Sequence, residues 1–372
     1  MLKIIDRNIS LNPYESCPCG SDKKFKFCCF KKAKQFLREE NTYRTFNDSR
    51  LQNLLKTNWR ETDFKICFAE NDDCKGNIKS AHSIQNNRIL NRISEEGHVY
   101  NIEASVINSS VKPKFNKISK NKASTFFGFC DYHDTEIFKP IEQNTYENTE
   151  QQNFLLAYRA FFVAYHKVIR KMSILRNAFK KYPSSLLDPQ AIIMYRTAQL
   201  DMKDDELECE LLKNNFNNQN FSTIESFVYV LNYEINFAVS SYFTISKDMR
   251  NNTLHDIYNL DEDIVIPGVF INVFPVEGKT NIVISYNKYI DNNYKVLFAQ
   301  LRDSTEEELL DYLSYTIFNC TEDLYFRPSS IEALNEHQKN SMIESYTSFL
   351  SPFNEMALII NGMHFEFNLF KL

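Results

Sequence analysis

Seven of the chain's nine cysteines fall within its first 130 residues, and their spacing limits what that part of the chain can become. Cys17-Pro18-Cys19-Gly20 is followed by the adjacent pair Cys28 and Cys29. A second set runs Cys67, Cys74 and Cys130, with His133 just beyond. Clustered thiols at short spacing, in a chain whose first residues show no apolar leader, read as metal ligands and not as disulfides. Four soft or borderline ligands in each set suit a tetrahedral Zn2+. The expected ligands are Cys17, Cys19, Cys28 and Cys29 at one site, and Cys67, Cys74, Cys130 and His133 at the other.

The 372 residues suffice for two or three domains. A hydrophobic share of 43% and 31 phenylalanines argue against a disordered chain. No run of about 18 apolar residues is present to span a bilayer, so a cytoplasmic protein without a membrane partner is expected. The net charge of −5 gives no general affinity for nucleic acid. Local charge does. Lys23, Lys24, Lys26, Lys31, Lys32, Lys34 and Arg38 follow one another with no acid between them, and Lys112, Lys114, Lys117, Lys120 and Lys122 do the same. These clusters, above all Lys23, Lys24, Lys26, Lys31, Lys32, Lys112, Lys114 and Lys117, are candidate contacts for nucleic acid or an acidic protein surface.

In the first set, proline fixes φ within Cys17-Pro18-Cys19 and Gly20 lets the backbone fold back, so two thiolates can face one ion. Cys28 and Cys29 close the tetrahedron. The run C-P-C-G-S-x-K-K-F-K-x-C-C resembles the SEC-C motif, the small zinc module found at the end of bacterial SecA and in otherwise unrelated proteins. The resemblance implies zinc and a portable contact for proteins or nucleic acid. A basic helical connector follows over 31–60. Trp59, the only tryptophan, is expected to pack against the second site.

Around that second site, Phe64 to Cys67 reads as a strand entering a knuckle, and Cys74-Lys75-Gly76 leaves it. Ile78 to Ile84 reads as a strand carrying His82. A helix is expected over Arg88 to Ile93, capped by Ser83 or Asn86 and closed by Gly97. His98 to Val106 alternates like a strand, 107–122 reads as a polar lysine-rich loop, and a helix opens at Cys130 and His133. A knuckle, a hairpin and a ligand pair on a helix's first turn form a treble-clef arrangement. The segment resembles the zinc-stapled HNH nucleases, and also uncharacterised bacterial proteins that often carry SEC-C motifs. The HNH resemblance implies His82 as general base, activating water against a phosphodiester. It implies Asp134 as ligand to a catalytic Mg2+ or Mn2+. The family's central asparagine has no counterpart close before Cys130; Asn121 stands too far away. Plainer roles are open: His82 as a fourth zinc ligand or a hydrogen-bonded neighbour of the site, His98 as a strand-end residue, and Asp134 as a first-turn acid favoured by the helix dipole.

Beyond residue 150 the apolar positions Phe154, Leu155, Tyr158, Phe161, Phe162, Tyr165, Val168 and Ile169 repeat with helical period. Pro189 opens a second long helix, and the two form a hairpin. Ser226 to Glu234 and Asn236 to Ile245 read as strands. Pro267 to Val276 and Thr280 to Tyr286 form a hairpin across Glu277-Gly278-Lys279. Thr305 with Glu308 announces a capped helix. Arg327 to Ser348 reads as helix, and Ile359 to Phe370 as extended chain.

The expected class is α+β: a SEC-C zinc module over 1–35, a treble-clef HNH-like zinc domain over 36–145, and a helical hairpin with an antiparallel-sheet domain over 146–372. The expected function is a zinc-binding protein with two structural Zn2+ ions that contacts nucleic acid or a protein through its basic N-terminal region. The alternative is an HNH-like metal-dependent endonuclease, which would suit defence against foreign DNA.

Overall fold

The computed structural model describes residues 10–39, 48–69, 73–107, 110–290, 292–348 and 368–372. In chain order, α1 (Phe30–Glu39) and α2 (Asp48–Glu61) lead to the short strand β1 (Ala81–His82). A π-helical turn, Asn86–Leu90, runs into α3 (Asn91–Ile93). Then come β2 (His98–Ile107), β3 (Ser110–Ser119), β4 (Thr125–Phe126) and α4 (Asp131–Glu142). The long helices α5 (Glu150–Lys181) and α6 (Pro189–Asn217) follow as the expected hairpin. The remainder is β5 (Ile224–Leu231), β6 (Phe237–Phe243), β7 (Val269–Val276), β8 (Lys279–Asn287), α7 (Tyr294–Asp303), α8 (Glu306–Cys320), β9 (Leu324–Phe326), α9 (Pro328–Glu332) and α10 (Glu336–Ser348).

The class is α+β, built on one seven-stranded antiparallel sheet in the order β3-β2-β9-β6-β7-β8-β5. The clearest part is the β7–β8 hairpin. Glu277 (φ 53°) and Gly278 (φ 79°) take the left-handed conformations of a type I′ turn, whose twist matches the strands it joins. Alternate residues pack on opposite faces. Phe237, Val239, Val269, Ile271, Val273, Ile282 and Ile284 meet Leu297, Phe298, Leu309, Leu313 and Ile317 of α7 and α8. Ala238, Phe274 and Val283 turn to the other side, where Phe270 meets the aromatic face of α5. Because both faces are covered, β7 and β8 read as nearly continuous apolar runs. Thr305 and Glu308 form the expected capping box at the head of α8.

One polar group is buried between α6 and the sheet. Glu208 is 1% exposed; its Oε1 accepts from Asn287 Nδ2 at 3.1 Å, and its Oε2 has no partner. Burial pushes its carboxyl up to about 7, and Asp205, one turn earlier, is raised by burial and by neighbouring acids.

Several expectations differ from what is found. The lysine-rich segment 107–122 is not a loop. Ser110–Ser119 pairs residue for residue with β2 and forms one edge of the sheet. Lysines and a proline on an edge strand discourage pairing with other chains, which is why the segment carries no apolar alternation. The sheet therefore includes strands from both sides of the boundary expected near residue 145. Ser83 and Asn86 do not cap a helix: the turn opens at Gln85, whose carbonyl accepts from both Ile89 and Leu90. Gly97 (φ 74°) sits with Glu96 in a tight turn joining Glu95 to His98. Trp59 packs against Arg170 of α5, its ring centroid 3.6 Å from the guanidinium carbon, and lies half-exposed. Of the expected extended chain 359–370, residues 359–367 lie outside the described residues, and Leu369–Lys371 is a 3-10 turn.

Candidate metal centres

The first cluster is built by local backbone geometry. Cys17 N–H donates to the Lys23 carbonyl, and Gly20 N–H donates back to Cys17 at 3.1 Å, closing a knuckle in which Gly20 has φ 74°. A 3-10 turn, Phe25–Phe27, carries the chain to Cys28 and Cys29, and the Cys29 carbonyl accepts the first bond of α1 from Ala33. The four ligand atoms lie within 4.8 Å of one another. Cys28 Sγ is 3.6 Å from Cys19 Sγ and 3.7 Å from Cys29 Sγ. Four sulfurs bound tetrahedrally at the usual Zn–S length stand about 3.8 Å apart, so the spacing fits the ion.

The same site shows why metal and fold depend on each other. Burial pushes the Cys17 thiol up to about 11 and raises Cys29 as well. Burial acts upward on Cys19 too, but hydrogen bonds from Ser21 and the other thiols outweigh it and hold Cys19 at about 7. Thiol protons must leave for four thiolates to form, and a bound cation is what displaces them. The module docks on the far ends of α5 and α6 through Phe25, Met172, Phe179, Ile192 and Tyr195. The Glu15–Arg196 pair fastens its rim.

The second cluster draws on parts remote in sequence. Ile66 and Phe68 N–H groups donate to the carbonyls of Phe127 and Gly128, which lays the Cys67 segment beside the approach to Cys130. Ile78 bridges to Cys130, and Asp131 N–H donates to Asn77, so the chain leaving Cys74 is tied to the head of α4. Cys130 is the N-cap of α4 and His133 lies in its first turn. His133 Nδ1 is 3.4 Å from Cys67 Sγ, 3.6 Å from Cys74 Sγ and 3.2 Å from Cys130 Sγ. A sulfur and a nitrogen sharing a tetrahedral zinc stand about 3.6 Å apart, so this set also fits. Burial lowers His133, keeping the imidazole neutral as a ligand must be, against a small upward pull from Asp73. Both clusters could hold zinc, and among the described residues they are the only such groups.

His82 stands outside the second tetrad. It lies on β1, opposite Thr125 of β4. Its Nε2 is buried without a partner, and the backbone of Asn121 and Lys120 meets the ring. Burial lowers its pKa; Glu142 pulls it up and Arg159 pushes it down. Asp134, on α4, lies in the field of the same two groups, and burial first, then Glu142, raises it to about 6. Arg159 is 3% exposed on α5 and donates to Glu142 Oε1 at 2.8 Å; its Nε is unpartnered. His82, Asp134, Glu142 and Arg159 thus form a second group of interacting polar and charged side chains, distinct from the four possible metal ligands. No three carboxylate, imidazole or thiolate atoms converge there. Asn121, remote from Cys130 in sequence, is folded back against His82, and its side chain accepts from Asn86 at 3.0 Å.

Glu142 and Arg159 were not among the expected site residues. The available signal was an arginine within a helical stretch, 152–163, that is otherwise apolar or amide and wholly buried. His98 is exposed and bonds the carbonyl of Glu96 in its own turn, apart from both clusters. Lys117 is held by Glu332 at 3.0 Å, and Lys114 lies 3.9 Å from Glu103 across the hairpin. The lysines of residues 23–38 are exposed, and among the described residues none is in an ion pair. No helix among the described residues is long and apolar enough to cross a membrane. No family model, curated protein or solved structure matches the chain.

Proposed function

We propose that the chain is a zinc-organised binding protein. Both ions are structural, and the lysines of the N-terminal module engage a polyanionic partner, either nucleic acid or an acidic protein surface. The observation that carries this reading is closure. Each cluster offers four protein ligands to one ion, whereas a catalytic zinc keeps a position open for water or substrate. The turn at Cys17–Gly20 and the exposed lysines beyond it support the SEC-C resemblance, whose members use such modules as contacts. The knuckle, the β1–β4 pair and the first-turn ligands of α4 support the treble-clef resemblance.

Metal analysis of the purified chain tests the zinc assignment. Two zinc ions per chain are expected, one after Cys130→Ser and one after Cys19→Ser. A wild-type value of one or none would refute it.

A second reading is favoured by one specific observation, the buried and unpartnered Nε2 of His82 beside Asp134, Glu142 and Arg159. In an HNH-like endonuclease that nitrogen would take a proton from the attacking water, and Asp134 would help hold Mg2+ or Mn2+. The absence of three converging ligands there places this reading second. Incubating plasmid and Mg2+ or Mn2+ with the wild type and with His82→Ala decides it: cleavage lost in the variant supports a nuclease, and equal background from both removes it.

A further inference from the structure

We propose that the outer face of the N-terminal zinc module binds single-stranded nucleic acid, stacking bases on Tyr14 and Phe27 while the surrounding lysines take the phosphates. The inference rests on the reading of this module as a polyanion-binding surface and narrows the partner.

The module has two unlike sides. Its inner side is apolar and buried: Cys17, Cys19, Phe25 and Cys29 are all 5% exposed or less and pack with residues of α5 and α6. Its outer side presents two large aromatic rings to solvent, Tyr14 at 55% and Phe27 at 69% exposed. Phe25, two residues from Phe27, is only 2% exposed, so the module buries one ring and leaves these two in solvent. The rings are set among amines. Lys26 Nζ stands 4.8 Å from the Tyr14 centroid and 5.9 Å from that of Phe27, and it donates to the Tyr14 hydroxyl at 2.8 Å. Lys24 Nζ is 5.9 Å from the Tyr14 centroid. Lys23 precedes Lys24 in the chain and is exposed, as are Lys31, Lys32, Lys34 and Arg38 of α1. The nearby acids are few: Glu15 is engaged by Arg196, and Asp22 is exposed at the knuckle.

Exposed ring faces with the amines of Lys24 and Lys26 beside them are what a single strand requires: each base offers a π-face and each linkage a charge. A duplex stacks its bases on each other and offers no such face. An acidic protein surface would use the lysines but has no need of the rings. Single-stranded nucleic acid is therefore the partner that uses every part of this surface.

The test is fluorescence anisotropy of a labelled oligonucleotide of about a dozen nucleotides with the zinc-loaded full chain, at two salt concentrations. The expected result is binding that weakens steeply with salt, by about 0.7 in logarithmic slope for each phosphate contacted. Tyr14→Ala and Phe27→Ala should each weaken binding by roughly tenfold or more, while Tyr14→Phe, which keeps the ring and loses the hydroxyl, should bind nearly as the wild type. Unchanged zinc content in all variants shows that the module stays folded. If duplex DNA or a polyglutamate peptide competes as well as the single strand, and the alanine variants bind normally, the stacking inference is overturned while polyanion binding stands. If no polyanion binds at low salt, both fall.

Discussion

Glu208 allows a stability effect to be worked from structure. Its carboxyl is buried between α6 and β8, with one oxygen held by Asn287 and the other unpartnered. Its pKa is pushed from 4.5 to about 7, so the folded chain holds this proton more tightly than the unfolded chain does. The stability it contributes is complete below about 4.5 and is lost as pH rises to about 7, above which the fold carries a buried charge. A shift of this size corresponds to about 3 kcal/mol. Glu208→Gln keeps a group that can bond Asn287 and cannot ionise. The variant should lie within about 1 kcal/mol of the wild type at pH 5 and exceed it by up to about 3 kcal/mol at pH 8. A slope of the same sign should remain from Asp205, which burial raises as well. Urea unfolding of both proteins, zinc-saturated, at half-unit steps from pH 5 to pH 8 measures the difference directly. Parallel curves for wild type and variant would refute the reasoning, because they would mean that Glu208 is hydrated or paired in the folded chain.

Other outcomes follow from the same structure. Arg159→Met removes the buried partner of Glu142 and should destabilise the chain by about 3 kcal/mol, read as a lower urea midpoint with unchanged zinc content. Gly128→Ala would place a methyl 2.1 Å from the Phe126 ring, which is packed against Phe129 and His166; a loss of about 1–3 kcal/mol in the same assay is expected. Stripping zinc with a strong chelator should expose Phe25 and the apolar ends of α5 and α6, giving increased binding of a hydrophobic dye that zinc reverses; no change in dye binding would show that the first module holds without metal.

Short-range chemistry was legible in the residues. Cys17 and Cys19, Cys28 and Cys29, and Cys130 and His133 are close in sequence, so a single turn or the first turn of a helix brings each pair together. The aromatic period of α5, the proline that opens α6, the Glu277-Gly278 turn and the Thr305–Glu308 cap are local for the same reason. Joining these pairs into tetrads needed more: Cys67 meets Cys130 only because the carbonyls of Phe127 and Gly128 receive the segment between Ile66 and Phe68. Tertiary structure alone decided that Lys112, Lys114 and Lys117 stand on an edge strand, since solvated strand edges and solvated loops share one composition. It also decided that Trp59 lies on Arg170, that Asn121 is folded against His82, and that Glu142 pairs with the buried Arg159. Those contacts join residues far apart in the chain, and side-chain type carries no record of which distant partner a fold will supply. The sequence thus determined which residues could bind metal, and the tertiary structure decided that His82 stands outside the metal set with its buried Nε2 unpartnered.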